Sequence, residues 1–207
     1  MAAIARSPFA HRLGKAHVPR ELKNVFIHDF TPIGRTGFKG AGTSEWLASK
    51  VSTLPERPNR AVTLSDGTVI GRLGKEEYLI LNGRNSTSDV CGELDASWAS
   101  ESAESGARRG YPLPRADSHS WLFLEGDSVP EMMAKICGVD LRDGSFPPGE
   151  IAQTIVARIG AVLIRETDSG SKGLHLLTDF ASADYLWEVL DDASAEFGGG
   201  FVPAGRK

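Results

Sequence analysis

The chain has 207 residues, of which 41% are hydrophobic and 24% charged, and its formal net charge at pH 7 is -4. This length allows one large domain or two small ones, with enough residues to bury a substantial core. The slightly acidic balance excludes an overall positive field, so neither nucleic acid nor a membrane surface is an expected partner.

Cysteine usage and hydropathy indicate the compartment. The two cysteines, Cys91 and Cys137, form no CxxC pair, which predicts neither a disulfide framework nor a zinc site. The N-terminal residues contain no continuous apolar region of signal-peptide length, and the sequence contains no 18-residue apolar run. We therefore expect a cytoplasmic protein.

The first half of the chain begins with residues 1–22, which lack periodicity and predict an extended arm. NVFIHDF then alternates as a half-buried strand does, and TSEWLASKVSTL predicts a helix capped by Thr43 or Ser44. RAVTL and TVIGRL, joined by an Asp-Gly turn, predict a hairpin, and EYLIL predicts a third strand. SDVCGELDASWAS predicts a helix, with Ser88 as its cap.

The second half repeats this series after a connector at residues 100–118, which is rich in Ser, Gly, Pro and charge. HSWLFLEG predicts a strand, and SVPEMMAKICG predicts a helix that ends at Gly138. EIAQTIVARI, GAVLIRE and LHLL predict three strands. SADYLWEVLDDASAEFGGG predicts a closing helix, with an inward stripe of Leu186, Val189, Leu190, Ala193 and Phe197.

Each half therefore predicts strand, helix, three strands and helix, which indicates an internal duplication. GTVIGR at 67–72 corresponds to GAVLIR at 160–165, and YLILN at 78–82 corresponds to LHLLT at 174–178. The expected fold class is α+β. The predicted organisation is an extended arm (1–22), a first half (23–108), a second half (109–198) and a tail (199–207), with the two halves interlocked in one domain.

Candidate chemical residues are scattered and form no catalytic signature. Cys91 and Cys137 fall on apolar helix stripes, so both are expected to pack in a core. Five histidines, at positions 11, 17, 28, 119 and 175, have no metal-ligand spacing, and His28, His119 and His175 lie within strand patterns. We therefore predict no catalytic, cofactor-binding or metal-binding residue on this chain.

Two further segments contain residue types that could form a site. IGRTGFKGAGTSEW at 33–46 is a Gly-rich loop before a helix, and it matches neither GxGxxG nor GxxxxGK[ST]. Its expected role is a flexible loop, with contact to an anion or a partner subunit as the alternative. Asp191 and Asp192 are expected to be solvated on the polar face of the last helix.

Three short motifs follow the cysteine-terminated helix of the second half: Asp140-Leu141, Phe146-Pro147-Pro148-Gly149 and Ala152-Gln153-Thr154. Together with the SADYLWEVL helix, they resemble the gamma subunit family of heterotetrameric sarcosine oxidase. In the first half, LGKEEYLIL takes the place of a strand of the type LGPDEWLLL, with Lys75 and Tyr78 departing from it. The resemblance covers roughly residues 43–198 and is stronger after residue 118.

This resemblance implies a fold related to the folate-binding domain of the glycine-cleavage aminomethyltransferase. It implies a complex of alpha, beta, gamma and delta chains that converts sarcosine, O2 and tetrahydrofolate to glycine, 5,10-methylenetetrahydrofolate and hydrogen peroxide. FAD, FMN, NAD, tetrahydrofolate and zinc belong to the other subunits of that family. The gamma chain is implied to be a structural partner, chiefly of the large alpha chain.

Other functions stay open at this point. The same subunit could serve a related complex, such as N-methylglutamate dehydrogenase. A stand-alone folate-binding protein resembling the aminomethyltransferase is an alternative of another class, and it requires an acidic residue that grips the pterin. An interaction domain unrelated to flavoenzymes is the third, because a fold does not imply a function.

Overall fold

A computed structural model of the chain describes residues 7–13, 21–105, 109–167 and 173–203. It divides the chain into two compact units. The 33–117 unit consists of Ile33–Asp117 and Gly149–Ile151, and the 118–207 unit consists of Met1–Pro32, Ser118–Pro148 and Ala152–Lys207. The predicted boundaries of the arm, halves and tail stay a prediction.

The described residues contain both strands and helices. In chain order, the strands are β1 (Phe26–Asp29), β2 (Arg35–Lys39), β3 (Arg60–Thr63), β4 (Val69–Gly74), β5 (Glu77–Leu81), β6 (Tyr111–Pro112), β7 (His119–Glu125), β8 (Ile151–Val156), β9 (Ile159–Arg165), β10 (Leu174–Asp179) and β11 (Gly200–Phe201). The helices are α1 (Ala10–Leu13), α2 (Thr43–Ala48), α3 (Val90–Ser105), α4 (Arg115–Ser118), α5 (Val129–Ala134) and α6 (Ala183–Ala195).

The strands form two sheets with matching topology. The strand order is β3-β4-β5-β2-β6 in one sheet and β8-β9-β10-β7-β1-β11 in the other. The series β2, α2, β3, β4, β5, α3 therefore corresponds to β7, α5, β8, β9, β10, α6. GTVIGR and GAVLIR lie at equivalent strands β4 and β9, and YLILN and LHLLT lie at β5 and β10. The predicted α+β class is confirmed, and the sheet orders bear out the duplication.

The first strand of the first repeat is not the one predicted from the sequence. NVFIHDF forms β1, but β1 pairs antiparallel with β7, in the sheet of the second repeat. The corresponding strand of the first repeat is β2, inside the segment interpreted as a Gly-rich loop. Gly37 occurs in this strand because a Cβ there would lie 2.8 Å from the carbonyl oxygen of Tyr78 on β5. The flexible-loop prediction for 33–46 was therefore wrong.

Several element ends differ from the predicted ones. α2 ends at Ala48, Gly42 is its N-cap, and the Thr43 hydroxyl donates to the Gly40 carbonyl, so Thr43 is not a cap. In α3 the capping side chain is that of Asp89, which accepts from the Gly92 N–H at 3.0 Å.

The predicted connector at 100–118 contains the end of α3, the whole of β6 and the whole of α4. β6 pairs antiparallel with β2, as β1 pairs antiparallel with β7, so the first strand of each repeat has one further partner; β6 follows β2 in the chain, whereas β1 precedes β7. α5 ends at Ala134, before Cys137 and Gly138, where the sequence predicted its end.

One face of the six-stranded sheet forms the core of the 118–207 unit with α5 and α6. Alternate strand residues point to this face, as the two-residue period of a strand requires. They include Ile27, Leu122, Leu124, Leu163, Leu174 and Leu176, packed with Met132, Met133, Leu186 and Leu190. Leu186, Leu190 and Ala193 are buried, and Val189 and Phe197 pack beside them, so the predicted inward stripe of α6 is confirmed.

The 33–117 unit has its own core beneath α2 and α3. Phe38, Trp46 and Trp98 lie with ring centroids 4.6 to 5.1 Å apart, and the two indoles meet edge to face. Tilted and edge-to-face geometries favour contact between the positive edge of one ring and the negative face of another. Leu47, Ile70, Ile80 and Leu94 complete this cluster.

The β8–β9 turn gives a test of backbone strain. Ala157 and Arg158 have φ angles of 48° and 64°, a left-handed conformation that favours Gly or Asn in such turns. Since Arg158 is exposed, Arg158→Gly should raise the free energy of unfolding by about 0.5 to 1 kcal/mol, measured by denaturant titration. Arg158→Ala keeps the Cβ and is the control. Equal stabilisation by both variants would contradict a backbone cause.

Candidate functional site

The segment between α5 and β8 is the candidate site, because it contains the motifs on which the family resemblance rests. Leu141 and Phe146 are buried, at 2% and 3% exposure, although the residues between them are exposed. The N–H groups of Ser145 and Phe146 both donate to the Arg142 carbonyl at 2.9 Å. Two apolar anchors and a tight turn thus hold this segment. We call residues 140–149 the motif turn.

Arg165 fixes the motif turn from the end of β9. Its side chain is buried, Nε donates to the Phe146 carbonyl at 3.2 Å, and Nη2 donates to the Leu141 carbonyl. Burial lowers the pKa of this guanidinium, and the Asp143 carboxylate, 3.9 Å from Nη2, acts in the opposite direction. Because Arg retains its charge in proteins, the buried cation needs these carbonyls, and they fix both arms of the turn.

Asp140 organises the exposed side of the motif turn. Its Oδ1 accepts from Arg142 Nε at 2.8 Å and from the Arg142 backbone N–H at 3.2 Å, and its Oδ2 accepts from the Ser145 hydroxyl at 2.8 Å. The Arg142 and Ser145 side chains hold the pKa of Asp140 well below its usual range. The carboxylate is therefore charged throughout the physiological range and is occupied by its neighbours.

A cleft runs between α5 and the motif turn. Residues of both charges line it, among them Asp127, Glu131, Arg142, Asp143 and Arg165. A neighbouring cleft shares Pro130, Glu131 and Arg142 with it and reaches Cys137. An open, mixed-charge cleft is typical of a polar recognition surface, where paired charges set orientation more than affinity.

The cysteines lie inside the two cores. Cys137 is 7% exposed, and its backbone bridges to Val156 on β8. Cys91 is 4% exposed, and burial, followed by the nearby Asp95 and Asp89, raises the pKa of its thiol to about 12. Since the thiolate is the nucleophile, Cys91 is unsuited to covalent chemistry near neutral pH.

Histidines on the six-stranded sheet have carboxylate neighbours that the sequence analysis missed. His28 Nε2 lies 2.9 Å from Glu125 Oε1, and His175 Nε2 lies 3.3 Å from Glu166 Oε2. His175 Nδ1 accepts from the Trp121 indole at 3.1 Å, which places the proton of the neutral ring on Nε2. Strand register was the missing information: β1 pairs with β7 so that Phe26 lies opposite Glu125, which makes Glu125 a diagonal neighbour of His28.

Among the described residues, the remaining histidines and acidic residues considered in the sequence do not lie beside His28 or His175. His119 Nδ1 contacts the Ser118 hydroxyl at 2.8 Å, and His11 Nε2 lies 2.9 Å from Asp184. His17 lies outside the described residues. Asp191 is half-buried and Asp192 is exposed on α6.

For the segment at 33–46, the sequence left open a contact with an anion or a partner subunit. At the start of α2, this segment is bound by a carboxylate of the same chain. The Ser44 backbone N–H donates to Glu76 Oε2 at 2.9 Å, and the Ser44 hydroxyl lies 2.9 Å from the Tyr78 hydroxyl. A carboxylate of the chain itself therefore takes the place that an anion would occupy.

Within residues 7–13, 21–105, 109–167 and 173–203, no group of three or more His, Cys, Asp or Glu side chains is placed to hold a metal ion. Among the helices of these same residues, none is long and apolar enough to cross a membrane.

Comparison with known proteins identifies the motif turn as part of a family pattern. Residues 114–196 match the model of the sarcosine oxidase, gamma subunit family. This match contains the motif turn, Arg165 and α6. The family resemblance stated from the sequence is confirmed over this segment.

Solved structures share the fold. A chain of the heterotetrameric sarcosine oxidase from Corynebacterium sp. U-96, in complex with pyrrole 2-carboxylate, superposes with a TM-score of 0.75 at 24% identity, over 97% of this chain and 100% of that one. Aminomethyltransferase T of the glycine cleavage system from Bartonella henselae superposes with a TM-score of 0.60 at 13% identity, over 88% of this chain and 49% of that one. At these identities the likeness establishes the fold.

A curated relative is similar in sequence. An aminomethyltransferase from Saccharopolyspora erythraea is 28% identical over 141 residues, which is 68% of this chain. The match spans only 35% of that protein, so the chain corresponds to about a third of its relative's length.

Arg165 can be tested against a second arginine of the same cleft. Arg165→Met should lower the free energy of unfolding by about 2 to 3 kcal/mol, because two buried carbonyls lose a charged donor. It should also speed amide hydrogen exchange in residues 141–146. Arg142→Met, which changes an exposed side chain, is the matched control and should have little effect. Equal losses in the two variants would contradict the assigned role.

Thiol accessibility provides a separate test. In native protein at pH 8, Cys91 should resist alkylation by iodoacetamide, because burial and a pKa of about 12 suppress its thiolate. It should react in guanidinium chloride. Peptide mass spectrometry distinguishes Cys91 from Cys137, and alkylation of native Cys91 at the rate of a free cysteine would disprove the prediction.

Proposed function

Because residues 114–196 match the sarcosine oxidase gamma subunit family, we propose that this chain is the gamma subunit of a heterotetrameric sarcosine oxidase. The proposal rests on the family match, which includes the motif turn and α6. The fold shared with a chain of a solved heterotetrameric sarcosine oxidase along its whole length supports the proposal.

The role that we propose for the chain is structural. Its conspicuous polar groups are engaged within the chain: Arg165 with the motif turn, Asp140 with Arg142, and His28 with Glu125. Side chains engaged in this way are typical of a rigid scaffold. They are less typical of a catalytic site, where acids and bases must be able to reach a substrate. The chain would stabilise the large alpha subunit, alongside beta and delta, in the cytoplasm.

The proposed complex oxidises sarcosine with O2 and passes the one-carbon unit to tetrahydrofolate, releasing glycine and hydrogen peroxide. FAD, FMN, NAD, folate and zinc would be held by the other chains. The two clefts beside α5 and an open cleft on β8 and β9 fit poorly to a pterin, since the described residues that line these three clefts include no Phe, Tyr or Trp to stack on it. We therefore assign no chemical step to this chain.

Two alternative functions remain as proposals. The same chain could belong to a related complex acting on another N-methyl amino acid, such as N-methylglutamate dehydrogenase, since its substrate contacts would lie on the flavin subunit. The match to an aminomethyltransferase favours a second alternative, a stand-alone folate-binding protein. That alternative requires a pocket with an acidic residue that binds the pterin.

Affinity purification tests the proposal. A tag on this chain, in its native host, should co-purify three partner chains and a flavin absorbance spectrum, and the complex should produce hydrogen peroxide from sarcosine. Omission of this chain from recombinant expression of the other three should yield unstable or poorly flavinylated enzyme. Full activity without it would refute the structural role.

Substrate and ligand controls separate the alternatives. Turnover of N-methylglutamate with an artificial electron acceptor, in place of sarcosine with O2, would favour the dehydrogenase. Calorimetric binding of tetrahydrofolate to the isolated chain would favour the stand-alone folate-binding protein.

A further inference from the structure

The described N-terminal residues 7–13 pack against α6 and β11 in the 118–207 unit. Phe9 is fully buried, although the helix that follows it has only four residues. Its ring lies 5.8 Å from that of Trp187 and 6.2 Å from that of Phe201, and these two rings stack 3.4 Å apart. A buried aromatic side chain in a pocket of stacked rings is the usual form of an anchor residue in peptide recognition.

Charged contacts surround this anchor. Arg12 Nε donates to Asp184 at 3.1 Å and Arg12 Nη2 donates to Glu188 at 2.9 Å, while His11 lies 2.9 Å from Asp184. Asp184 and Glu188 are four residues apart, so they lie on one face of α6. Leu13 adds a partly buried apolar contact. The surface of α6 and β11 therefore recognises an aromatic residue, a basic residue three positions later and an apolar residue after it.

Backbone pairing contributes little to this attachment. The backbone hydrogen bonds found for the described residues 7–13 are made inside the segment, from Ala10 to Ser7 and from Arg12 and Leu13 to Phe9. The Phe9 N–H donates to the Ser7 hydroxyl at 3.0 Å. A segment held by side chains can leave and return without breaking a sheet, unlike β11, which pairs with β1.

From these contacts we infer that α6 and β11 form a peptide-recognition groove, whose ligand is the chain's own segment 7–13. The groove binds this segment through Phe9, Arg12 and Leu13, and it accepts the same sequence supplied as a separate peptide. The inference rests on contacts within the 118–207 unit and is independent of the proposed enzyme complex.

A peptide-exchange experiment on the full chain tests this inference. A fluorescent peptide of residues 1–20 should bind the Phe9→Ala chain at least about tenfold more tightly than the wild-type chain. In the variant the chain's own segment has lost its anchor, whereas in the wild-type chain that segment fills the groove. The same peptide carrying Phe9→Ala is the control and should not bind. Fluorescence anisotropy measures both. Equal binding to the two chains, or no binding to a folded Phe9→Ala chain, would overturn the inference.

Charge variants of α6 test the recognition of Arg12 by Asp184 and Glu188. In the Phe9→Ala chain, Asp184→Asn with Glu188→Gln should weaken peptide binding about tenfold and remove most of its salt dependence, because the ion pairs with Arg12 are exposed. Unchanged affinity and salt dependence would overturn the assigned role of α6.

If the Phe9→Ala chain does not fold, amide hydrogen exchange on the wild-type chain tests whether residues 7–13 detach from the groove. Residues 7–13 should exchange through local opening, faster than β7 and β10, and 1 M salt should accelerate their exchange selectively. Exchange of residues 7–13 at the rate of the central strands would show that the segment leaves only on global unfolding, and the inference would fail.

Discussion

The antiparallel pairing of β1 with β7 is the constraint on which the architecture depends. It places residues 26–29 in the sheet that residues 119–201 build, so residues 33–117 interrupt the six-stranded sheet along the chain. The five-stranded sheet, by contrast, lies within the continuous stretch 35–112. Because the β1–β7 pairing joins strands that are remote in the chain, it costs loop-closure entropy before packing stabilises it, and the six-stranded sheet is complete only when both stretches are in place.

The same arrangement explains how the chain uses its polar residues. Polar side chains that are buried against the six-stranded sheet need hydrogen-bond partners. Arg165 takes two carbonyls of the motif turn, and His175 takes the Trp121 indole. These contacts stabilise the motif turn and the six-stranded sheet, and they support the structural role that we propose for the chain.

Periodicity in the sequence predicted most of the fold, because helices and strands with one apolar face carry a strong local signal. The strands β4, β5, β9 and β10, the inward stripe of α6 and the correspondence between the halves were all predicted in this way. The method failed at β2, where RTGFK has no alternation, and at β6 and β11, which have two residues each. Their strand character comes from neighbours in space, so no local pattern reveals it.

The sequence by itself determined the α+β class, the duplication and the family motifs, since each depends on local order along the chain. Only the tertiary structure decided which strand begins the first repeat, which side chains neutralise one another and where the N-terminal residues pack. Arg165 beside the motif turn and Phe9 against Trp187 illustrate the reason. Both contacts join residues that are distant in the chain, and their partners follow from strand order and register, which no single segment encodes.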